Sequence, residues 1–228
     1  MLDVRELCAG YGGAQILDRV HFHLAKGEVL GILGRNGAGK STLVKAVMGM
    51  LPETRGSIEF RGQQLLGLPT YRIGRIGVSL VPQGRWIFPK LSVQQNLEAA
   101  CPVGQDPPDV IFTYFPVLRH RLRQMGGTMS GGEQQMLAIA RAMCARPKVL
   151  LLDEPSDGVQ PNIVQMLGEL IPSLCKELEI SAVLVEQNLD LVMNAAQRWL
   201  VLERGRIVHE GRQTGADELH ALEGLLGV

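Results

Sequence analysis

The sequence lacks an excess of either charge. It carries 23 Lys and Arg against 23 Asp and Glu, for a net charge of zero and a pI near 7.0. That balance supplies neither the positive footprint of a nucleic-acid surface nor the basic patch of an anionic-membrane surface. Paired cysteine is missing too. Cys8, Cys101, Cys144 and Cys175 stand singly with no CxxC spacing, which reads as free, mostly buried thiols in a reduced compartment. No apolar run approaches the ~18 residues a membrane-spanning helix needs. The opening residues show no basic-then-apolar leader. These absences predict a cytosolic chain that meets a membrane only through a partner. The five histidines form no ligand spacing, and no internal repeat, low-complexity tract or extended linker occurs.

What is present is an alternation of strand and helix patterns. A length of 228 residues, 46% of them hydrophobic, suits one domain over residues 1–228 with subdomains inside it. The opening "LDVRELCAGYGGAQILDRVHFHL" alternates apolar and polar residues around Gly-rich turns, the signature of half-buried antiparallel strands. "EVLGILG", "IGVSLVPQ", "VLLLDEP" and "SAVLVEQ" are short apolar runs that read as strands covered on both faces. "GSIEFRGQQL" reads as a hairpin strand and "RWLVLERGRIVHEG" as two strands about an Arg-Gly turn. Between about residues 92 and 145 the pattern becomes helical, as though a helical subdomain were inserted, and Met125, Met129, Met136 and Met143 are expected to pack within it. "NIVQMLGELIPSLCKEL" is helical as well, with Pro172 expected to kink or end it. The result is an α/β fold with a largely parallel sheet.

Three short motifs carry chemistry. "GRNGAGKST", residues 34–42, fits G-x-x-x-x-G-K-[ST] and sits between a strand and a helix, as a phosphate-binding loop must. Gly34, Gly37 and Gly39 can take positive φ, which turns the N–H groups around Arg35, Asn36, Ala38 and Thr42 inward as an anion nest. Lys40 is placed to reach the β- and γ-phosphates, and the Ser41 hydroxyl to ligate Mg²⁺. "VLLLDEP" delivers Asp153 and Glu154 at a strand's C-terminal end, where open α/β sheets bind ligands. Asp153 suits a water-bridged Mg²⁺ and Glu154 the polarisation of an attacking water. "SGGE", residues 130–133, opens a helix whose N–H groups offer a second anion site.

The stretch "TMSGGEQQMLAIARAM", residues 128–143, closely resembles the signature of ATP-binding-cassette (ABC) ATPases, and with Lys40, Asp153 and Glu154 in order the resemblance runs over almost the entire chain. It implies a P-loop NTPase core with an N-terminal antiparallel β subdomain and an inserted α-helical subdomain. It implies ATP and Mg²⁺ as ligands, and a head-to-tail pair in which Ser130, Gly131 and Gly132 of each chain cap the partner's γ-phosphate. By the same resemblance Tyr11 stacks on adenine, and Gln83 touches Mg²⁺ and the attacking water. "PSDGVQP", residues 155–161, is then the loop that meets the partner. Gln187 stands where most members carry a histidine that contacts the γ-phosphate. Its amide can still hydrogen-bond phosphate but cannot become cationic or shuttle a proton.

"LVEQN", "VPQGRWIFPKLSV" and the signature together look like importers for branched-chain amino acids and for urea and short amides, of which this resembles the second, shorter nucleotide-binding subunit. The signature leans towards amino acids, whereas "VPQGR" and "DGVQP" lean towards urea or amides; branched-chain amino acids are the expected substrate and urea or short amides the alternative. The resemblance implies transmembrane permease subunits, a second nucleotide-binding subunit, and a periplasmic substrate-binding protein acting indirectly, without nucleic acid. Its place is the cytoplasmic face of the inner (plasma) membrane, as a peripheral subunit. "GRWIFPKL" is the candidate docking stretch for a permease loop, with Trp86 and Phe88 either exposed contacts or buried packing. A soluble ABC ATPase outside transport is the other class, although the long coiled-coil insertion or tandem cassettes of such proteins are missing.

Overall fold

A computed structural model describes residues 1–212. Two sheets form its frame. Strands β1 (Leu2–Tyr11), β2 (Ala14–Leu24), β4 (Thr54–Phe60) and β5 (Gln63–Gln64) make an antiparallel sheet in the order β2–β1–β4–β5. The second sheet runs β10 (Arg206–Arg212), β9 (Arg198–Glu203), β3 (Val29–Leu33), β8 (Ser181–Glu186), β7 (Val149–Asp153), β6 (Val78–Val81). All but β10 lie parallel in it.

The three central strands show why short apolar runs become strands here. Successive side chains of a strand point to opposite faces. Leu30, Ile32, Val149, Leu151, Val183 and Val185 enter the core shared with the antiparallel sheet and α1 (Lys40–Val47). The intervening Val29, Leu33, Leu150, Leu152, Ala182 and Leu184 enter the other core, beneath the helices. With both faces covered, alternation disappears from the sequence and only apolar content remains.

The second core also receives α3 (Val93–Glu98), α4 (Val110–Tyr114), α5 (Pro116–His120) and α6 (Gly131–Cys144), through Val93, Leu97, Ile111, Phe115, Leu118 and Leu137. These helices therefore pack on the sheet's own core. Reciprocal capping boxes start α3 at Ser92–Gln95 and α6 at Ser130–Glu133. Two further helices, α7 (Pro161–Glu177) and α8 (Leu189–Ala195), follow β7 and β8.

Several expectations need correcting. Of the two outcomes expected at Pro172, an end does not occur: α7 continues through it to Glu177. The missing N–H costs about 3 kcal/mol in a helix interior, and the burial of Leu167, Ile171, Leu174 and Cys175 offsets it. Met125 is exposed rather than packed, while Met129 and Met143 are buried and Met136 lies at the core's edge. All four cysteines are free, but only Cys144 and Cys175 are fully buried. A short helix, α2 (Thr70–Arg75), has no counterpart in the sequence reading, because its one buried residue, Ile73, sets up no periodicity.

Gly31 in the middle of β3 lets the sheet and α8 approach closely: a Cβ there would fall 2.3 Å from Val192 Cγ1 and 3.3 Å from Ala196 Cβ. Gly31→Ala should destabilise the chain by about 1–3 kcal/mol through overpacking. Urea denaturation followed by circular dichroism checks this, and an unchanged midpoint would contradict it.

Candidate functional site

The C-terminal ends of β3, β7 and β8 lie side by side, and each releases a loop into one cleft. After β3 comes the loop of residues 34–39. Gly37 and Gly39 have φ of 81° and 109°, the left-handed region glycine favours. Gly34 does not, contrary to expectation; glycine is needed there for space, since a Cβ would meet the Leu202 carbonyl oxygen at 2.6 Å. Helix α1 then opens at Lys40 with no side-chain cap and no acid in its first turn. Its first N–H groups and positive dipole end suit an anion from outside the helix.

Lys40 is 3% exposed, yet its ammonium is fully engaged. Nζ donates to Gly34 O at 2.6 Å and Arg35 O at 3.1 Å, and it pairs with Glu154 Oε1 at 2.9 Å. Ser41 Oγ donates to Asp153 Oδ1 at 3.1 Å. Burial pushes the Asp153 carboxyl above its ordinary range, against the Ser41 hydrogen bond and the nearby Lys45 and Lys40 charges. Glu154 turns the chain sharply, with φ 47° and its N–H bonded to Val185 O at 2.9 Å. A non-glycine residue there is strained, and such strain gathers at functional sites. The turn aims Glu154 at Lys40 on one side and at Gln83 on the other. Gln83 Nε2 donates to Glu154 Oε2 at 2.9 Å and to Asp157 Oδ2 at 3.3 Å.

Two hollows flank this chain of contacts. One, of about 290 Å³, is lined by Tyr11, Ile16, Gly37, Lys40, Ser41 and Thr42 together with Asn36, Gln83 and Glu154. The other, of about 720 Å³, shares Asn36, Gln83 and Glu154 and adds Asp157, Glu186 and Gln187. The structure thus gathers the predicted loop residues, both carboxylates, Tyr11, Gln83 and Gln187 at one edge. It does not bring Ser130, Gly131 or Gly132 there, for they line neither hollow. Ser130 instead caps α6, accepting from Glu133 N at 3.4 Å while Glu133 Oε2 accepts from Ser130 N at 2.9 Å.

The family model for the ABC transporter matches residues 17–157. The high-affinity branched-chain amino acid transport ATP-binding protein BraG of Pseudomonas aeruginosa is 43% identical over 213 residues, 91% of each chain. The probable branched-chain amino acid transport ATP-binding protein LivF of Archaeoglobus fulgidus is 33% identical over 216 residues, 92% of each chain. A crystal structure of an ATP-binding cassette of an ABC transporter, in its ADP conformation, superposes with a TM-score of 0.82 at 25% identity, covering 98% of this chain and 94% of that one. This chain belongs to the ABC transporter family of ATP-binding proteins.

Sequence reasoning missed three residues that hold the ABC cassette's motifs in place. Arg85 donates to Gln134 Oε1 at 3.3 Å, Asp157 O at 3.3 Å and Gly158 O at 3.1 Å, so one guanidinium ties the loop after β6 to the loop after β7 and to the signature helix. Nothing in "QGRW" distinguishes it from a solvated arginine. Asn96, fully buried, donates to Phe88 O, Leu91 O and Ser92 O and accepts from Phe88 N, fixing the stretch that presents Trp86 and Phe88, both of them exposed. Glu186 is 1% exposed at the tip of β8; its signal, a carboxylate closing an apolar strand, was visible but unused.

Because a methyl group at Gly34 would displace either the loop or β9, Gly34→Ala should weaken ATP binding roughly tenfold or more, about 1.4 kcal/mol of misfit. Titration with a fluorescent ATP analogue measures it, and wild-type affinity would contradict the packing argument.

Proposed function

We propose that this chain is the ATP-hydrolysing subunit that powers an importer for branched-chain amino acids. The observation that carries the hydrolytic reading is the Lys40–Glu154–Gln83–Asp157 chain of contacts at the strand ends. The substrate class rests on the likeness to the branched-chain amino acid transport proteins of Pseudomonas aeruginosa and Archaeoglobus fulgidus.

In this reading Tyr11 stacks on the adenine, and Lys40 with the N–H groups of residues 34–42 holds the phosphates. Glu154 takes a proton as water attacks the γ-phosphorus, while the bond to the ADP oxygen breaks. Gln83 orients that water, and Gln187 offers its amide to the γ-phosphate from the strand tip beside it. The donors also fit Mg²⁺: the Ser41 hydroxyl, the Asp153 carboxylate and the Gln83 amide oxygen are all oxygen ligands, as a hard cation requires. Among the described residues no group of three His, Cys, Asp or Glu gathers to hold a metal, so phosphate oxygens and water would complete its shell. When bound, the ion neutralises charge that develops on the phosphates.

That Ser130, Gly131 and Gly132 line neither hollow supports pairing with a second nucleotide-binding subunit, head to tail, whose signature reaches this chain's larger hollow. The exposed Trp86 and Phe88, steadied by Arg141 through Trp86 O at 2.7 Å and over the Phe88 ring at 4.8 Å, suit a loop of the permease subunits. No helix among the described residues is long and apolar enough to cross a membrane. By its likeness to transport ATP-binding proteins, the chain would sit peripherally on the cytoplasmic face of the inner membrane, with the periplasmic substrate-binding protein acting through the permease.

Glu154→Gln should keep ATP binding while turnover falls roughly 10²-fold or more. Phosphate release by the purified variant checks this, and wild-type turnover would remove Glu154 from the mechanism. In a strain lacking the chain, wild type should restore uptake of radiolabelled leucine and Glu154→Gln should not. Restored uptake of urea in place of leucine would overturn the substrate and favour the urea and amide reading that "VPQGR" and "DGVQP" suggest.

A further inference from the structure

Burying a carboxylate costs free energy unless its oxygens are hydrogen-bonded, and Glu186 is the most enclosed acid among the described residues. Its oxygens are met by main chain. Oε1 accepts from Ser156 N at 2.8 Å, and Oε2 accepts from Gln187 N at 3.0 Å and Asn188 N at 3.2 Å. Its own carbonyl accepts from Gly34 N at 3.2 Å. One residue therefore touches all three loops of the cleft: the phosphate loop, the loop after Glu154, and the loop that carries Gln187. Ser156 lies between Glu154 and Asp157, the two acids that Gln83 contacts. Glu186 lines the larger hollow together with both of them.

We propose that Glu186 is a positioning residue for hydrolysis: an ionised acceptor that holds the Ser156–Asp157 loop and the Gln187 loop to a single strand tip, so that Glu154 and Gln187 face the γ-phosphate together. The proposal rests on the hydrolytic reading of this cleft. A glutamine of the same shape keeps one acceptor oxygen but turns an NH₂ towards an N–H that needs an acceptor. An aspartate keeps the charge and both oxygens, one methylene further back. The bond to Gly34 is made by main chain and survives either change, so phosphate binding should be spared.

The test uses the purified chain as wild type, Glu186→Gln, Glu186→Asp and Glu154→Gln, with kcat, KM, affinity for a fluorescent ATP analogue and thermal midpoint measured for each. Displacement of a reacting group by about 1 Å costs up to 10²-fold in rate, so kcat of Glu186→Gln should fall roughly 10- to 100-fold. ATP affinity should stay near wild type, while the thermal midpoint should fall by a few degrees because one buried N–H loses its acceptor. Glu186→Asp should recover only part of the rate, because it keeps the charge but draws the accepting oxygens one methylene back from the loops. Should Glu186→Gln fail to fold, a reduced kcat at unchanged affinity in Glu186→Asp supports the proposal, and a wild-type kcat overturns it. A wild-type kcat in Glu186→Gln also overturns it. So does the reverse ranking, with Glu186→Asp the slower and less stable variant, since that is the pattern of a space-filling side chain. Normal turnover in Glu154→Gln would remove the hydrolytic reading itself, and this proposal with it. A slow Glu154→Gln beside an unaffected Glu186→Gln would remove only the proposal.

Discussion

In the parallel sheet Leu33 pairs with Glu186 and Asp153 with Val185, so β3, β8 and β7 end within one rung of each other. The chemistry of the cleft depends on that register. A slip of one residue in any of the three strands would turn its side chains to the opposite face and carry its loop away from the others. Two separate apolar cores, one on each face of the sheet, hold the register by alternation along every central strand. The tight loop after β3 leans on the same arrangement, for Gly34 touches the carbonyl of Leu202 on β9 and donates its N–H to Glu186.

On that frame the site assembles as a ladder of charges and dipoles. Lys40 is buried with a carboxylate and two carbonyls as partners, which is the condition under which a buried ammonium is tolerated. Asp153 sits beside the Ser41 hydroxyl, and the strained Glu154 turns across to Gln83. Lys40 follows β3, Asp153 and Glu154 follow β7 and Gln83 follows β6, so movement of one loop reaches the others through side-chain contacts. Arg85 extends the linkage to the signature helix, and Asn96 extends it to the exposed Trp86 and Phe88. The proposed coupling of nucleotide state to neighbouring subunits would run through such a connection.

Much of this was legible in the sequence. The buried strands announced themselves by apolar runs that end in Gly34, Asp153 and Glu186, and the phosphate loop by its spacing. What stayed hidden has physical causes. Pro172 passes through a helix because burial of one apolar face outweighs a lost hydrogen bond, a balance that no local rule contains. Gly34 looked like a conformational glycine, yet it is a packing glycine whose neighbour lies 168 residues further on, at Leu202. Arg85 and Asn96 act through partners distant in sequence, and polar residues flanking a loop leave no periodic trace. Gln187 was read from the resemblance, while Glu186 beside it, which makes more contacts within the chain, drew no functional reading.

The most direct test of the central claim, that the ends of β3, β7 and β8 form the nucleotide-hydrolysing edge of a paired cassette, is a crystal structure with a non-hydrolysable ATP analogue and Mg²⁺. The account predicts the phosphates against Lys40 and the N–H groups after Gly37, the ion beside Ser41 and Asp153, and Ser130, Gly131 and Gly132 arriving from a second subunit. A nucleotide bound away from this edge, or closed in by the signature of its own chain, would contradict it.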